Sequence, residues 1–473
     1  MHKDKEFFET IGNLVKETGK ISSLIFTLLS SSNWKVNEHS RSIYSRSSLV
    51  KLLVVVKLLN IPTVNMAIGG FDLKGLLPFG KDVLYKVKNS VNINWRKMLL
   101  KQSYDCLQSI DINHTSTKSD QVPCFVIDDT DIPKTGRKIE FIGRIFSHVG
   151  KGYNLGFKSL NLAYWTGINI LHIDFSYHVE MGKKKNQGLS KKELRSRYTK
   201  ERDTSSLSTK RIEETLSKKT DNAIKMIKRA IKKGFKAQYI LADSWFFNKA
   251  LAQYAKKVKV HLISRPKFNN WKYEYKEKHY TIGQLVKKLR YTKNKKWSRK
   301  LHMNYIRVKV NFQDTEMVLC FFKEKKRNVK WQALISTDGS ITAIKAYEIY
   351  QNRWTIETSF KELKQLLKYG KTQSQDFDAH ISDATHTLIA FNYLSTVKAV
   401  NSHQTIGELF RDVSAKWVKP NMMKKFWNSF FQAIKEISVF LTQSIDELIE
   451  LVTKNNNFLS SLKNLTANLS AET

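Results

Sequence analysis

The apolar residues of this chain follow two rhythms, helical at the two ends and strand-like in the middle. Residues 6–29 and 47–59 repeat apolar positions at helical spacing, so the chain up to about residue 110 is expected to be mostly helical. From Pro123 the pattern changes. The run CFVIDDTDI at 124–132 predicts a strand that ends in Asp128, Asp129 and Asp131. Residues 134–156 are rich in Gly and Lys and predict a loop. Residues 160–165 and 170–179 predict two strands joined by a hairpin turn at 166–169. One amphipathic helix is predicted over 211–233, with Ile212, Leu216, Ala223, Ile227 and Ile231 inward. The run AQYILADSWF at 237–246 predicts a strand leading into Asp243, followed by a helix at 249–257 and a strand at 260–265. Residues 266–338 alternate as strands around a short helix at 282–289, and WQALIST at 331–337 closes that stretch. One long helix is then predicted over 342–367, an apolar one over 380–399, and further helices over 405–464.

This order of strands and helices predicts an α/β sheet with a β-rich insertion. Acids fall at the ends of two strands and on a late helix. In such a sheet, strand ends and a flanking helix converge in space although they lie far apart in the chain.

The late helix carries a second pattern. At about 100° per residue, Ile349, Ile356, Phe360, Leu363 and Leu367 form one apolar stripe. Tyr350, Arg353, Glu357 and Lys364 form a row beside it, and Glu362 falls on the opposite side. A charged row on a helix is ordinarily a solvated face, so it gains meaning only from the rest of the chain.

Charge changes the picture most. Lys and Arg number 81 against 42 Asp and Glu, a net charge of +39. Such an excess in a chain of ordinary apolar content points to a polyanion, nucleic acid before an acidic membrane surface. Residues 183–236 concentrate it, with 19 Lys or Arg against 6 Asp or Glu, and their first part, near 183–200, reads as a lysine-rich loop. Three distant cysteines, Cys106, Cys124 and Cys320, offer neither a disulfide framework nor zinc-ligand spacing. Neither a secretory leader nor a run long enough to span a membrane is present, so a cytosolic protein is expected. Three converging carboxylates would bind hard divalent cations, Mg²⁺ or Mn²⁺, and two such ions suit phosphodiester chemistry.

These residues resemble a known family. Tyr350, Arg353, Glu357 and Lys364 match, in identity and spacing, the Y-R-E-K signature of the insertion-sequence-4 family of DDE transposases. Ile127-Asp128-Asp129-Thr130 is similar to its first-acid motif, and Leu241-Ala242-Asp243-Ser244-Trp245-Phe246 to its second. The resemblance covers roughly residues 123–399. It implies a ribonuclease-H-like mixed sheet flanked by helices, with a β-rich insertion and helical terminal regions. The corresponding division is 1–110 helical and DNA-binding (or a plain helical lead-in), 111–265 and 339–401 catalytic core, 266–338 insertion, and 402–473 helical with a role in dimerisation.

The resemblance also implies a metal-binding catalytic triad of Asp129, Asp243 and Glu357. Asp129 is preferred to Asp128 because the family's acid directly precedes the Thr. Tyr350, Arg353 and Lys364 are implied to hold the DNA backbone, and Trp331 to stack a flipped base, with Trp271 and Trp297 as alternatives. His148 would touch DNA or simply pack. The implied activity is cut-and-paste transposition of a bacterial insertion sequence. A homodimer would bind double-stranded terminal inverted repeats, cleave with two Mg²⁺ or Mn²⁺ ions through a hairpin, and join 3′-hydroxyls to target DNA in the nucleoid. The alternatives are an inactive DNA-binding relic or repressor, or another ribonuclease-H-like nuclease.

Overall fold

The computed structural model describes residues 29, 44–61, 63–69, 79–113, 122–147, 150–180, 189–326, 329–400, 405–412 and 414. His148, nearly all of the expected helix at 6–29 and most of 405–464 lie outside them.

The fold is built outward from one strand. β1 (Cys124–Pro133) opens with four fully buried residues, Cys124 to Ile127, as a strand covered on both faces requires. It pairs antiparallel with β3 (Gly152–Trp165) and parallel with β5 (Tyr239–Ala242). β3 also carries β2 (Gly143–Ser147) and β4 (Ile170–His178). β5 pairs parallel with β6 (His261–Ser264). The sheet then continues through β12 (Gln332–Ser336), β11 (Thr315–Glu324) and β10 (Met303–Phe312) into the insertion strands β7 (Tyr273–Tyr275), β8 (Lys278–Tyr280) and β9 (Lys295–Ser298). This is a single 12-stranded mixed sheet flanked by helices, the expected α/β class with its β-rich insertion.

The helices in chain order are α1 (Arg46–Leu58), α2 (Val64–Gly69), α3 (Lys81–Lys88), α4 (Trp95–Asn113), α5 (Lys191–Arg195), α6 (Leu207–Leu216), α7 (Lys219–Lys233), α8 (Lys249–Lys257), α9 (Ile282–Leu289), α10 (Ala343–Gln351), α11 (Trp354–Gln365) and α12 (Phe377–Val400). The apolar helix expected near 380–399 is α12, buried on every side from Phe377 to Val397 and packed on α1, α4 and β4. Among the described residues no helix is long and apolar enough to cross a membrane.

The structure corrects the sequence reading at four places. The loop expected at 134–156 contains the β2–β3 hairpin. β3 begins at Gly152 because Gly156 lets it cross β1 closely, where a Cβ would lie 2.2 Å from the Ile132 carbonyl oxygen. The helix expected over 211–233 is two, α6 and α7, since Ser217 is extended (ψ 162°) and accepts a bond from Asn222. The helix expected over 342–367 is also two. Between α10 and α11 the backbone bonds tighten to Arg353 N–Tyr350 O at 3.0 Å, Thr355 N–Asn352 O at 3.2 Å and Ile356 N–Arg353 O at 3.3 Å, a 3₁₀ turn centred on Arg353. The fourth is the lysine-rich loop expected near 183–200. Its described part forms α5 and is then anchored by Lys200 and Arg202 to Glu140, Asp376 and Asp378.

Candidate active site

Alternation along β1 sorts its acids. Successive side chains of a strand face opposite ways, and their partners show which way. Thr130 accepts a bond from Lys364 of α11 at 2.7 Å, and Asp128 accepts one from Arg353 at 3.0 Å. Asp129 pairs instead with Lys219 at the start of α7, and Asp131 with Lys158 at 2.7 Å. Asp128 and Thr130 therefore face α11, and Asp129 and Asp131 face α7.

Asp243 follows β5. The parallel register pairs Ile127 with Ala242, so Asp128 and Asp243 leave adjacent strand ends side by side. Asp243 turns its carboxylate to accept the backbone N–H of Trp245 at 2.8 Å and of Phe246 at 3.3 Å. Ile132, near the end of β1, is also clasped by Gly370, where φ is +74° and a Cβ would lie 2.6 Å from the Ile132 side chain.

The four signature residues all reach these strand ends. The Arg353 guanidinium donates to Asp128 through one nitrogen and to Glu357 through another. Tyr350 donates its hydroxyl to the Ala242 carbonyl at 3.2 Å, and Lys364 donates to Thr130. The row expected from helical spacing is thus a real surface, bent at Arg353 and pressed onto the ends of β1 and β5. Glu362 lies off it; burial raises its pKa and the Lys398 charge opposes the rise.

Burial pushes the Asp128 carboxyl up to about 7, Arg353 pulls it back, and the neighbouring Asp243 charge adds to the rise. Burial also pushes the Tyr350 phenol up to about 12, against Arg353 and Arg265. Burial opposes the charge of Arg353, but Tyr350, Glu357 and Asp128 together hold its pKa above the ordinary value. Arg353 Nε has no partner among the described residues and so keeps one donor to spare.

No three His, Cys, Asp or Glu side chains among the described residues are gathered closely enough to hold a metal as they stand. A cation already sits between Asp128 and Glu357, namely the Arg353 guanidinium. The donors at hand, Asp128, Asp243 and Glu357, are all carboxylate oxygens, which fits a hard divalent ion and no softer one.

Beside the acids, a cleft of about 390 Å³ runs between α10–α11 and the β6–β12 strands, with Arg265, Gln332, Leu334, Tyr350, Arg353 and Trp354 among its lining. Trp331 is half-buried just before β12 and is not in that lining. Trp354 is in it, 64% exposed, and was missed from sequence. Its signal was present: it is an apolar residue off the apolar stripe of its helix. Arg265, also missed, lies over the Tyr350 ring at 5.9 Å, as Arg353 does at 5.8 Å.

A mixed sheet flanked by helices, carrying a β-rich insertion, is consistent with the ribonuclease-H-like class of fold. Within that class, residues 214–393 match the family model of the transposase DDE domain. The match supports a DDE transposase. It includes Asp243, Glu357 and the whole signature row, and it begins after β1. No curated protein matches the chain.

Proposed function

We propose that the chain is a DNA transposase of the insertion-sequence-4 kind, which cuts its element free and joins it elsewhere. One observation carries this reading. Arg353 joins Asp128 of β1 to Glu357 of α11, while Tyr350 and Lys364 fasten the same row to the ends of β5 and β1. The match to the transposase DDE domain and the charge of +39 support it.

In this reading Asp128, Asp243 and Glu357 would hold Mg²⁺ or Mn²⁺, and the partners of Asp128 favour it over Asp129 as the first acid. Bound divalent ions supply charge neutralisation at the phosphate and a more acidic water. For three carboxylates to share an ion, Arg353 has to release at least one of them. Its freed donors, with the unpartnered Nε, are then available to a phosphate oxygen. Lys364 and Tyr350 hold the backbone on either side of the cut.

In cleavage, water attacks phosphorus and the bond to the 3′-oxygen breaks, leaving a 3′-hydroxyl and a 5′-phosphate. In joining, that 3′-hydroxyl attacks a target phosphodiester and displaces the target's own 3′-oxygen. The cleft beside Arg353 is wide enough for one base, with Trp354 exposed at its wall and Trp331 close in sequence to β12. That suits a base flipped out of a hairpin end. A homodimer that pairs two terminal repeats in a bacterial nucleoid completes the proposal.

The test is a supercoiled plasmid carrying the DNA that flanks the gene, incubated with the protein and Mg²⁺. Nicks at the element ends that require the metal support the reading. Binding at the ends with no nick under any divalent ion overturns it.

A further inference from the structure

The α7 face of β1 carries a feature that the acids do not use. A cavity of about 480 Å³ opens there, within the roughly 300–1,000 Å³ range of ligand sites. Four lysines line it, Lys158, Lys218, Lys219 and Lys267, with two tryptophans, Trp245 and Trp271, and a single acid, Glu180. Each tryptophan has an ammonium over its ring: Lys219 lies 3.9 Å from the Trp245 centroid, and Lys267 5.2 Å from that of Trp271. Trp245 is 45% exposed although it lies three residues past the buried strand β5 and precedes the buried Phe246 and Phe247.

Trp271 packs on Phe247 and Phe312 at 6.1 and 5.4 Å between ring centroids, which fixes it as one wall of the cavity. Packing does not account for the exposed Trp245, since a core tryptophan is covered and a solvated lysine face does not interleave with indoles. Flat apolar faces set among cations recognise a nucleotide, with a ring for the base and ammonium groups for the flanking phosphates. A double helix does not offer its base faces, so the nucleotide has to be unpaired. The cavity also lies at the right edge. Lys219 and Lys158 reach Asp129 and Asp131, each one residue along β1 from a residue facing α11. A strand that crosses the carboxyl ends of β1 and β5 passes from one face to the other.

We propose that this cavity binds one unpaired nucleotide of a DNA strand, stacked on Trp245 and Trp271 and held through its phosphates by Lys218, Lys219 and Lys267. It is a second base site, on the opposite face of β1 from Glu357. The proposal rests on the transposase reading for its substrate class, and its test does not depend on cleavage.

The full chain, without metal, is mixed with a short single-stranded thymidine oligonucleotide bearing one 5-iododeoxyuridine, irradiated, and mapped by mass spectrometry. The expected cross-links fall on Trp245 or Trp271. Trp245→Ala should weaken single-strand binding roughly tenfold, with Trp245→Phe close to the unaltered protein. Lys218→Gln, at an exposed position, should lower the salt slope of binding by about one. The duplex of the same sequence should give little cross-link at these residues, and thymidine monophosphate at equal nucleotide concentration should not compete. Cross-links elsewhere with unchanged affinity in Trp245→Ala overturn the proposal. Full competition by the monophosphate also overturns it, in favour of a free-nucleotide site. Metal-dependent nicking without the cross-link sinks this site and spares the transposase; the cross-link without nicking does the reverse.

Discussion

Arg353 donates to Asp128 Oδ2 at 3.0 Å across 225 residues of chain, and the same guanidinium reaches Glu357 one helical turn on. Asp129, beside Asp128, is held on the other face by Lys219. The two neighbours should therefore separate in function. Asp128→Asn should reduce metal-dependent strand cleavage by more than the roughly 10–100-fold typical of losing a supporting residue. Asp129→Asn should stay within about tenfold of the unaltered protein. Both are read on plasmid ends, with melting temperature as the folding control. Cleavage lost with Asp129→Asn and kept with Asp128→Asn would return the first acid to Asp129.

Much of this site could be read from the sequence, and the remainder was hidden for physical reasons. Helical spacing placed Tyr350, Arg353, Glu357 and Lys364 on one row, and strand patterns put Asp128, Asp129 and Asp243 at strand ends, with Asp129 preferred for the site by resemblance. Alternation said that Asp128 and Asp129 part company, but not which faces α11, because the facing helix is fixed only by tertiary packing. The 3₁₀ turn at Arg353 was invisible because every residue from 342 to 367 is compatible with a helix. The β2–β3 hairpin was masked by its glycines, which signal turns in sequence but here permit the close crossing at Ile132. Trp245 belongs to the second-acid motif in sequence, and only the structure shows that it is 45% exposed with the Lys219 ammonium over its ring.

Arg353→Lys keeps the charge and loses the geometry. A guanidinium spans two carboxylates from fixed nitrogens, whereas an ammonium is a point charge on a flexible stem. With no fixed fork left to orient the acids and then the scissile phosphate, cleavage should fall about 10–100-fold. End binding should change much less, since most phosphate contacts remain. Equal loss of binding and cleavage would make Arg353 a DNA anchor alone.

Glu357 and Glu362 make an internal comparison on one helix. Glu357 meets Arg353, whereas Glu362 sits across the helix near Lys398. Glu357→Gln should abolish cleavage, while Glu362→Gln should leave it within about threefold, as for a weak charge interaction worth a few tenths of a kcal/mol. Similar losses in both would dissolve the proposed row.

Buried histidines set the acid limit of the fold. His172 is fully buried, shares a hydrogen bond with the Ser359 hydroxyl through Nε2 at 2.9 Å, and burial lowers its pKa to about 3. His380 and His386 are lowered to about 3 and His178 to about 4, again chiefly by burial. Each is neutral when folded and takes a proton at about 6.5 when unfolded. The unfolded state thus binds more protons below that pH, and stability falls as pH drops from about 6.5 toward 3. Each histidine contributes a slope of up to about 1.4 kcal/mol per pH unit. His172→Gln should melt lower at pH 7 and show a shallower acid dependence by denaturant titration. An unchanged slope would mean that His172 is protonated in the fold.

Asp383 ties three helices together from inside. It lies on α12, and its carboxylate takes Lys57 of α1 at 3.0 Å and Lys88 of α3 at 3.2 Å, with all three groups buried. Burial alone would raise its pKa, but Lys57 and Lys88 hold it well below the ordinary carboxylate range. Asp383→Asn leaves two ammonium groups buried without a counter-charge and should cost about 3–5 kcal/mol. Replacing all three with apolar residues of similar size, Lys57→Met, Lys88→Met and Asp383→Leu together, removes the desolvation cost along with the pairing. That variant should recover most of the loss. Chemical denaturation of the single and triple variants separates the two cases. If the triple variant is as weak as Asp383→Asn, the ion cluster contributes net stability, and the helices rely on it for more than orientation.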